Sequence, residues 1–205
     1  MRKTVCVVSA MLLGVSSFVL AAEKPKAASK GEAGKKAVAE TKTLPEGKTL
    51  AEHEYVGVKK CSMCHKAESK GNQYGQWMST KHAKAYATLA TPEAQEAAKK
   101  VGVSGNPQEL PQCLKCHITA YGVKSSLLGA GFVKEDGVQC EACHGAGKDY
   151  MPISVMKDRK KAIAAGLIMP TKELCIKCHN QESPNYREFV FDDYYKEIAH
   201  PGSKK

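Results

Sequence analysis

The chain has little from which to build an ordinary apolar core. Phe, Trp and Tyr make up 6% of its 205 residues, with a single Trp, although aromatic side chains usually carry much of the burial in a core. After the first twenty residues no apolar run is long enough to span a bilayer, so no second membrane-crossing segment is expected. Strict apolar–polar alternation between turn signals is missing, which argues against a sandwich or barrel. Acidic side chains are outnumbered, 21 Asp and Glu against 31 Lys and Arg, for a formal net charge of +10. No base-stacking motif accompanies that charge, so a nucleic-acid binder is not indicated. Histidine is scarce as well, with 7 in the whole chain.

Cysteine is organised rather than abundant. Of 9 cysteines, eight fall into four copies of Cys-x-x-Cys-His. They are Cys61, Cys64 and His65; Cys113, Cys116 and His117; Cys140, Cys143 and His144; and Cys175, Cys178 and His179. This is the attachment pattern of a c-type haem: two thiols add to the porphyrin vinyl groups, and the adjoining His is placed under the iron as proximal ligand. Zinc sites and disulfide frameworks also use paired cysteines, but neither requires a His after every second Cys. The expected cofactors are therefore four covalently attached haem c groups, each with its iron. Their porphyrins supply the apolar surface that the chain lacks. By the coupling seen in small metal domains, the haem-free chain is expected to be largely unfolded.

The N-terminus agrees with haem attachment outside the cytoplasm. Arg2 and Lys3 precede an apolar stretch from Val5 to Leu20, followed by small residues, which reads as a cleaved signal peptide over residues 1–22. Cys6, the odd cysteine, would leave with it. No transmembrane anchor is expected, and the destination is the periplasm or the cell exterior. Residues 23–52 read as a flexible Lys/Ala-rich arm, and residues 53–205 as a single tetrahaem cytochrome c domain. Loss of Arg2 and Lys3, together with four ferric haems bearing ionised propionates, brings the charge to about +4. Acidic redox proteins are the partners such a surface would steer.

The fold class expected is mostly α with extensive loops, a haem-filled wrap with essentially no β-sheet. One helix is expected over 75–90, carrying Trp77, His82, Tyr86 and Leu89 at helical spacing. Thr91 and Pro92 start another. Asp158 caps a helix reaching Leu167, Thr171 caps the helix of the fourth motif, and a last helix covers 191–199. First-cysteine spacings of 52, 27 and 35 residues are uneven, so this is no fixed-period solenoid.

Distal ligands decide the chemistry. Four His are proximal, which leaves His53, His82 and His200 as candidate distal ligands, and three imidazoles cannot serve four irons. At least one iron is then five-coordinate, water-bound or held by another residue. Met63, Met78, Met151, Met156 and Met169 are the substitutes, with Met156 preferred. If small molecules are reduced at an open iron, a polar distal pocket is required. Gln112, Lys115 and Tyr121, near the second motif, are its candidates.

Several stretches resemble the tetrahaem cytochrome c-554 family of ammonia-oxidising bacteria. They are Lys60 to Lys66; Trp77 with Thr80 to Ala85; Val138 to Gly147; and Phe189 to Asp192 leading to His200. The resemblance covers most of residues 57–200 and implies an electron carrier. It implies that His82 pairs with His144, that His200 pairs with His179, and that the haem of Cys113, Cys116 and His117 is five-coordinate. The family's distal His for the first haem, shortly after the third motif, has no counterpart here, where Ser154 to Lys160 contains no His. His53 either replaces it within its own chain or reaches a haem of a neighbouring subunit. The latter is similar to the filament-forming cytochromes of metal-reducing bacteria and would make a homopolymer. Electron transfer is thus the leading function, in anaerobic or metal-reducing respiration and with no catalytic residues. Reduction of nitric oxide, nitrite or hydroxylamine is the alternative.

Overall fold

The computed structural model describes residues 52–200. The leader expected over 1–22 and nearly all of the arm expected over 23–52 lie outside the described residues. Ten short α-helices run through the described part: α1 Val58–His65, α2 Gln73–Ser79, α3 Ala85–Thr88, α4 Pro92–Lys100, α5 Pro111–His117, α6 Cys140–His144, α7 Ile153–Met156, α8 Arg159–Ala164, α9 Lys172–Cys175 and α10 Phe191–Ile198. Among the described residues there is no strand, only an isolated bridge between Tyr55 and Leu128. The expected α-plus-loop class is the observed one. No helix among the described residues is long and apolar enough to cross a membrane.

Local signals set several boundaries. Thr91 accepts a hydrogen bond from the Ala94 N–H and Pro92 fills the first turn of α4, whose last turn carries Lys99 and Lys100. Asp158 accepts from the N–H groups of Lys160 and Lys161 and starts α8. That helix stops at Ala164, short of the expected Leu167, because the chain turns through Gly166 at φ +101°. Thr171 precedes α9 but makes no side-chain cap, and the helix covers only the start of the fourth motif. The final helix ends at Ile198, one residue short of the expectation.

The helix expected over 75–90 is two helices. Thr80 turns extended, and both its N–H and its hydroxyl donate back to the Trp77 carbonyl, at 2.9 and 2.7 Å. Beyond it, the His82 carbonyl accepts from Val138 N–H at 3.0 Å. Gly137, at φ +72°, lies so close that a Cβ there would come 2.8 Å from the same carbonyl. The Trp77 indole N–H donates to the Val138 carbonyl at 2.8 Å. This tertiary anchor on residues 137–138 overrides the helical periodicity and fixes the loop that carries His82.

The protein-built core is thin. Its buried hydrophobic side chains are Val56, Val58, Leu89, Ala98, Ala146, Tyr150 and Ala162, and among the largest fully buried side chains are Gln139, Glu141 and Thr119. Glu141, in α6, accepts from the N–H groups of Val56, Gly57 and Gly147 at 2.8, 2.8 and 2.7 Å. Gln139 accepts from Val58 N–H at 2.8 Å. These bonds staple the entry of α1 to the third motif. Gly57 at φ +84° passes so close to Gly131 that a Cβ would lie 2.3 Å from its carbonyl oxygen. Much of the interior is thus organised by polar bonds between segments, with large apolar side chains such as Met63 and Ile153 left exposed.

Candidate haem centres

Three of the four motifs lie wholly on helices: the first on α1, the second on α5, the third on α6. A helical turn puts residues i, i+3 and i+4 on one side, so both thiols and the imidazole of each motif share a face. In the fourth motif α9 ends at Cys175, and turns bring Cys178 and His179 back on it, both donating N–H to the Cys175 carbonyl at 3.1 and 3.0 Å.

The proximal imidazoles are oriented through Nδ1. His65 Nδ1 lies 3.2 Å from Gln73 Oε1, His117 Nδ1 2.7 Å from the Ala85 carbonyl, and His144 Nδ1 3.1 Å from the Ile168 carbonyl. An acceptor there fixes the proton on Nδ1 and leaves Nε2 as a lone pair, the arrangement that metal-ligating His residues use. Burial lowers the pKa of His144, opposed by the Ile168 carbonyl and assisted by His200 and His65. Burial also lowers His82, with His179 adding to the effect, and it lowers His179. Neutral imidazole is the ligating form.

The imidazoles meet in pairs. His82 faces His179 with ring centres 6.0 Å apart, and His144 faces His200 at 5.9 Å. Two metal–imidazole bonds of about 2 Å each, with an iron between, separate ring centres by about 6 Å. The residues therefore fit haem irons that take two axial ligands from the chain. They suit zinc poorly: among the described residues no three His, Cys, Asp or Glu side chains gather to hold one ion. The partners are exchanged relative to those the resemblance implies. His82 lies opposite His179 of the fourth motif, presented there by the loop anchored on residues 137–138, and His200 lies opposite His144 of the third. Phe189 stacks on the His179 ring at 4.8 Å and Tyr194 meets it edge-on at 5.9 Å. A cavity of about 290 Å³ opens beside that ring, with Cys178, Lys81 and Arg187 in its lining.

Thiol contacts order the four motifs. Cys61 lies near Cys140, and Cys116 near Cys178, close enough for each thiol to shift its neighbour's ionisation. Cys175 lies near enough to Cys143 to add to the rise that burial gives its pKa. Cys116 is held down to about 7, first by Cys178 and then by the Lys115 ammonium against the opposing effect of burial. The sequence of neighbours is first, third, fourth, second. Lys115, which also bonds Glu182, ties the second motif to the loop after the fourth.

His53 is buried at 4% exposure, with Nδ1 2.5 Å from Asp149 Oδ2. A ring held this way inside its own chain is not presented to a neighbouring subunit, so the inter-subunit donation is not carried forward. Met63 is 71% exposed, Met78, Met151 and Met169 are exposed, and Met156 is half-buried at the end of α7. Gln112 and Tyr121 are exposed, and Lys115 is engaged with Glu182. Sequence reasoning missed Asp149, Gly166 and the stapling role of Glu141. Only Glu141, inside a motif, carried any local signal.

The family described as cytochrome c554 and c-prime matches residues 60–145. A curated relative, cytochrome c-554 of Nitrosomonas europaea, is 34% identical over 105 residues, 47% of this chain and 40% of the relative. The matched part thus spans less than half the length of that relative. The solved structure of the reduced state of cytochrome c554 from Nitrosomonas europaea superposes with a TM-score of 0.53 and 27% identity, covering 71% of this chain and 83% of that one. Family model, curated relative and solved structure thus all point to similarity with cytochrome c554.

Proposed function

We propose that the chain is an exported c-type cytochrome that relays electrons through four closely packed haems, one per motif, and turns over no substrate. The observation that supports this best is the order of neighbours, first, third, fourth, second, which would bring each haem beside the next. Bound haem would supply one-electron iron chemistry and the missing apolar surface. The eight motif cysteines would hold it covalently, His65, His117, His144 and His179 would ligate the irons, and His200, which faces His144, and His82, which faces His179, would supply second ligands. Gln73, Ala85 and Ile168 orient three of the proximal rings, and burial favours the neutral form of His82, His144 and His179. Lys81 and Arg187 are suited to the propionates of the fourth haem. Imidazole ligation favours low potentials, as anaerobic or metal-reducing respiration requires.

The excess of Lys and Arg favours docking with acidic redox proteins in the periplasm or outside the cell. The test is electron exchange between the reduced protein and a small acidic redox protein, followed by stopped flow. The rate should fall steeply as ionic strength rises. A rate independent of salt, or no exchange, would contradict the carrier reading.

One observation favours a second reading. Among the described residues neither His65 nor His117 has an imidazole in ring contact, and with His82 and His200 facing the fourth and third motifs only His53 is left for two irons, so one of them would lack a second His ligand. Reduction of nitric oxide, nitrite or hydroxylamine there would appear as steady turnover with an artificial donor. Turnover outpacing electron exchange would make the protein an enzyme first.

A further inference from the structure

We propose that Asp149 is the positioning partner of His53, and that the pair makes His53 the distal ligand, within its own chain, of the iron carried by the first motif. The inference rests on the haem reading above. His53 is 4% exposed, and its Nδ1 lies 2.5 Å from Asp149 Oδ2. Its Nε2 is buried with no hydrogen-bond partner. Buried polar atoms normally find partners, and a buried imidazole with a carboxylate on one nitrogen and nothing on the other has the form of a metal ligand awaiting its metal. Asp149 accepts from Nδ1–H, which leaves the lone pair on Nε2.

Gly166 supports this geometry. A Cβ built there would lie 3.4, 3.4 and 3.6 Å from His53 Cε1, Nε2 and Cδ2. Nearly equal distances to three ring atoms put Gly166 against the flat face of the imidazole, not in line with the Nε2 lone pair. The face is packed, and the direction along which a metal would bind is not the one Gly166 occupies.

Position selects the iron. His53 is followed by Val56 and Gly57, stapled to Glu141, and then by α1 with Cys61 and His65. Asp149 adjoins Tyr150, whose hydroxyl feels both Cys61 and Cys140. The dyad therefore sits on the side of the first and third motifs. His144 of the third motif already faces His200. His179 of the fourth faces His82, and His117 of the second bonds the Ala85 carbonyl of α3. The first motif is the one whose helix directly follows the His53 segment through the staple to Glu141, and the dyad is assigned to it.

Asp149 would do more than aim the ring. A carboxylate on Nδ1–H makes the imidazole more basic, which stabilises ferric over ferrous iron and lowers the potential of that haem relative to a neutral partner. Hydrogen bonding around the ligands is a recognised lever on haem potential.

The experiment uses the full holo-protein, its haem count fixed by intact mass, with Asp149→Asn, His53→Ala, His53→Met and the Asp149→Asn/His53→Met double variant. Low-temperature EPR and a potentiometric titration are read for each. His53→Ala should convert one low-spin haem to high spin, and added imidazole should reverse it. Asp149→Asn should keep that haem low-spin and raise its midpoint potential, leaving the others in place. In the His53→Met background, where no Nδ1–H exists, the same change should shift the potential much less. An unchanged spin state in His53→Ala overturns the ligand assignment. Equal shifts in both backgrounds show that Asp149 acts as a bare charge and overturn its positioning role. A wild-type haem that turns high-spin on dilution to single chains overturns the same-chain assignment. Absence of haem from the wild-type mass is a separate result, which fails the underlying reading instead.

Discussion

At the scale of single residues, two side chains carry distinct consequences. His82 faces His179, so His82→Ala should convert the haem of the fourth motif from low to high spin and leave the third low-spin. Paramagnetic NMR of the thioether protons at Cys175 and Cys178, against those at Cys140 and Cys143, separates the two. A change at the third motif would restore the pairing implied by the resemblance. Glu141 bears on stability. Burial raises its pKa from 4.5, against the three backbone N–H bonds that lower it. A raised acid contributes stability that is complete below the unfolded pKa and declines as pH rises through the folded one. The wild type should therefore lose stability as pH climbs from about 4.5 through the raised value. Glu141→Gln should lack that slope and lose about 1–3 kcal/mol at low pH, since the amide cannot accept from all three N–H groups. Urea titrations across pH measure both, and a slope of opposite sign would mean that the N–H bonds outweigh burial.

At the scale of elements, the loop between α2 and α3 matters most. Gly137 sits at φ +72° with His82 O only 2.8 Å from where a Cβ would be. Gly137→Ala is expected to cost about 1–3 kcal/mol in backbone strain and to loosen His82, so that a fraction of the fourth haem turns high-spin. Thermal unfolding and EPR on one sample check this, and a destabilised protein with an unchanged spectrum would detach the anchor from the ligand. The same loop shows where sequence reading stops. Trp77, His82, Tyr86 and Leu89 have helical spacing, but the bonds that break the helix come from residues 137–138, more than fifty positions away in the sequence. Caps are different, because Thr91 and Asp158 bond within three residues and are legible from the chain alone.

At the scale of the whole molecule, the four motifs were plain in the sequence because each packs its chemistry into five consecutive residues. Ligand pairing was not, since a lone His carries no mark of the ring it will face. Asp149 gave no signal because its partner lies 96 positions away. With a core this thin, Gln139 and Glu141 being among its largest fully buried side chains, folding is expected to depend on bound haem. A chain with every motif cysteine changed to Ser should show no cooperative thermal transition by far-ultraviolet circular dichroism. A sharp transition would mean that the polar staples suffice alone.

Four bound irons, with two imidazoles each on the first, third and fourth motifs and one on the second, have a distinct magnetic signature. Low-temperature EPR of the oxidised protein, with haem quantified on the same sample, reads it. Four haems per chain are expected, with low-spin bis-imidazole signals for three and a high-spin signal for the remaining one. Four low-spin bis-imidazole haems, or fewer than four haems, would overturn this ligand set.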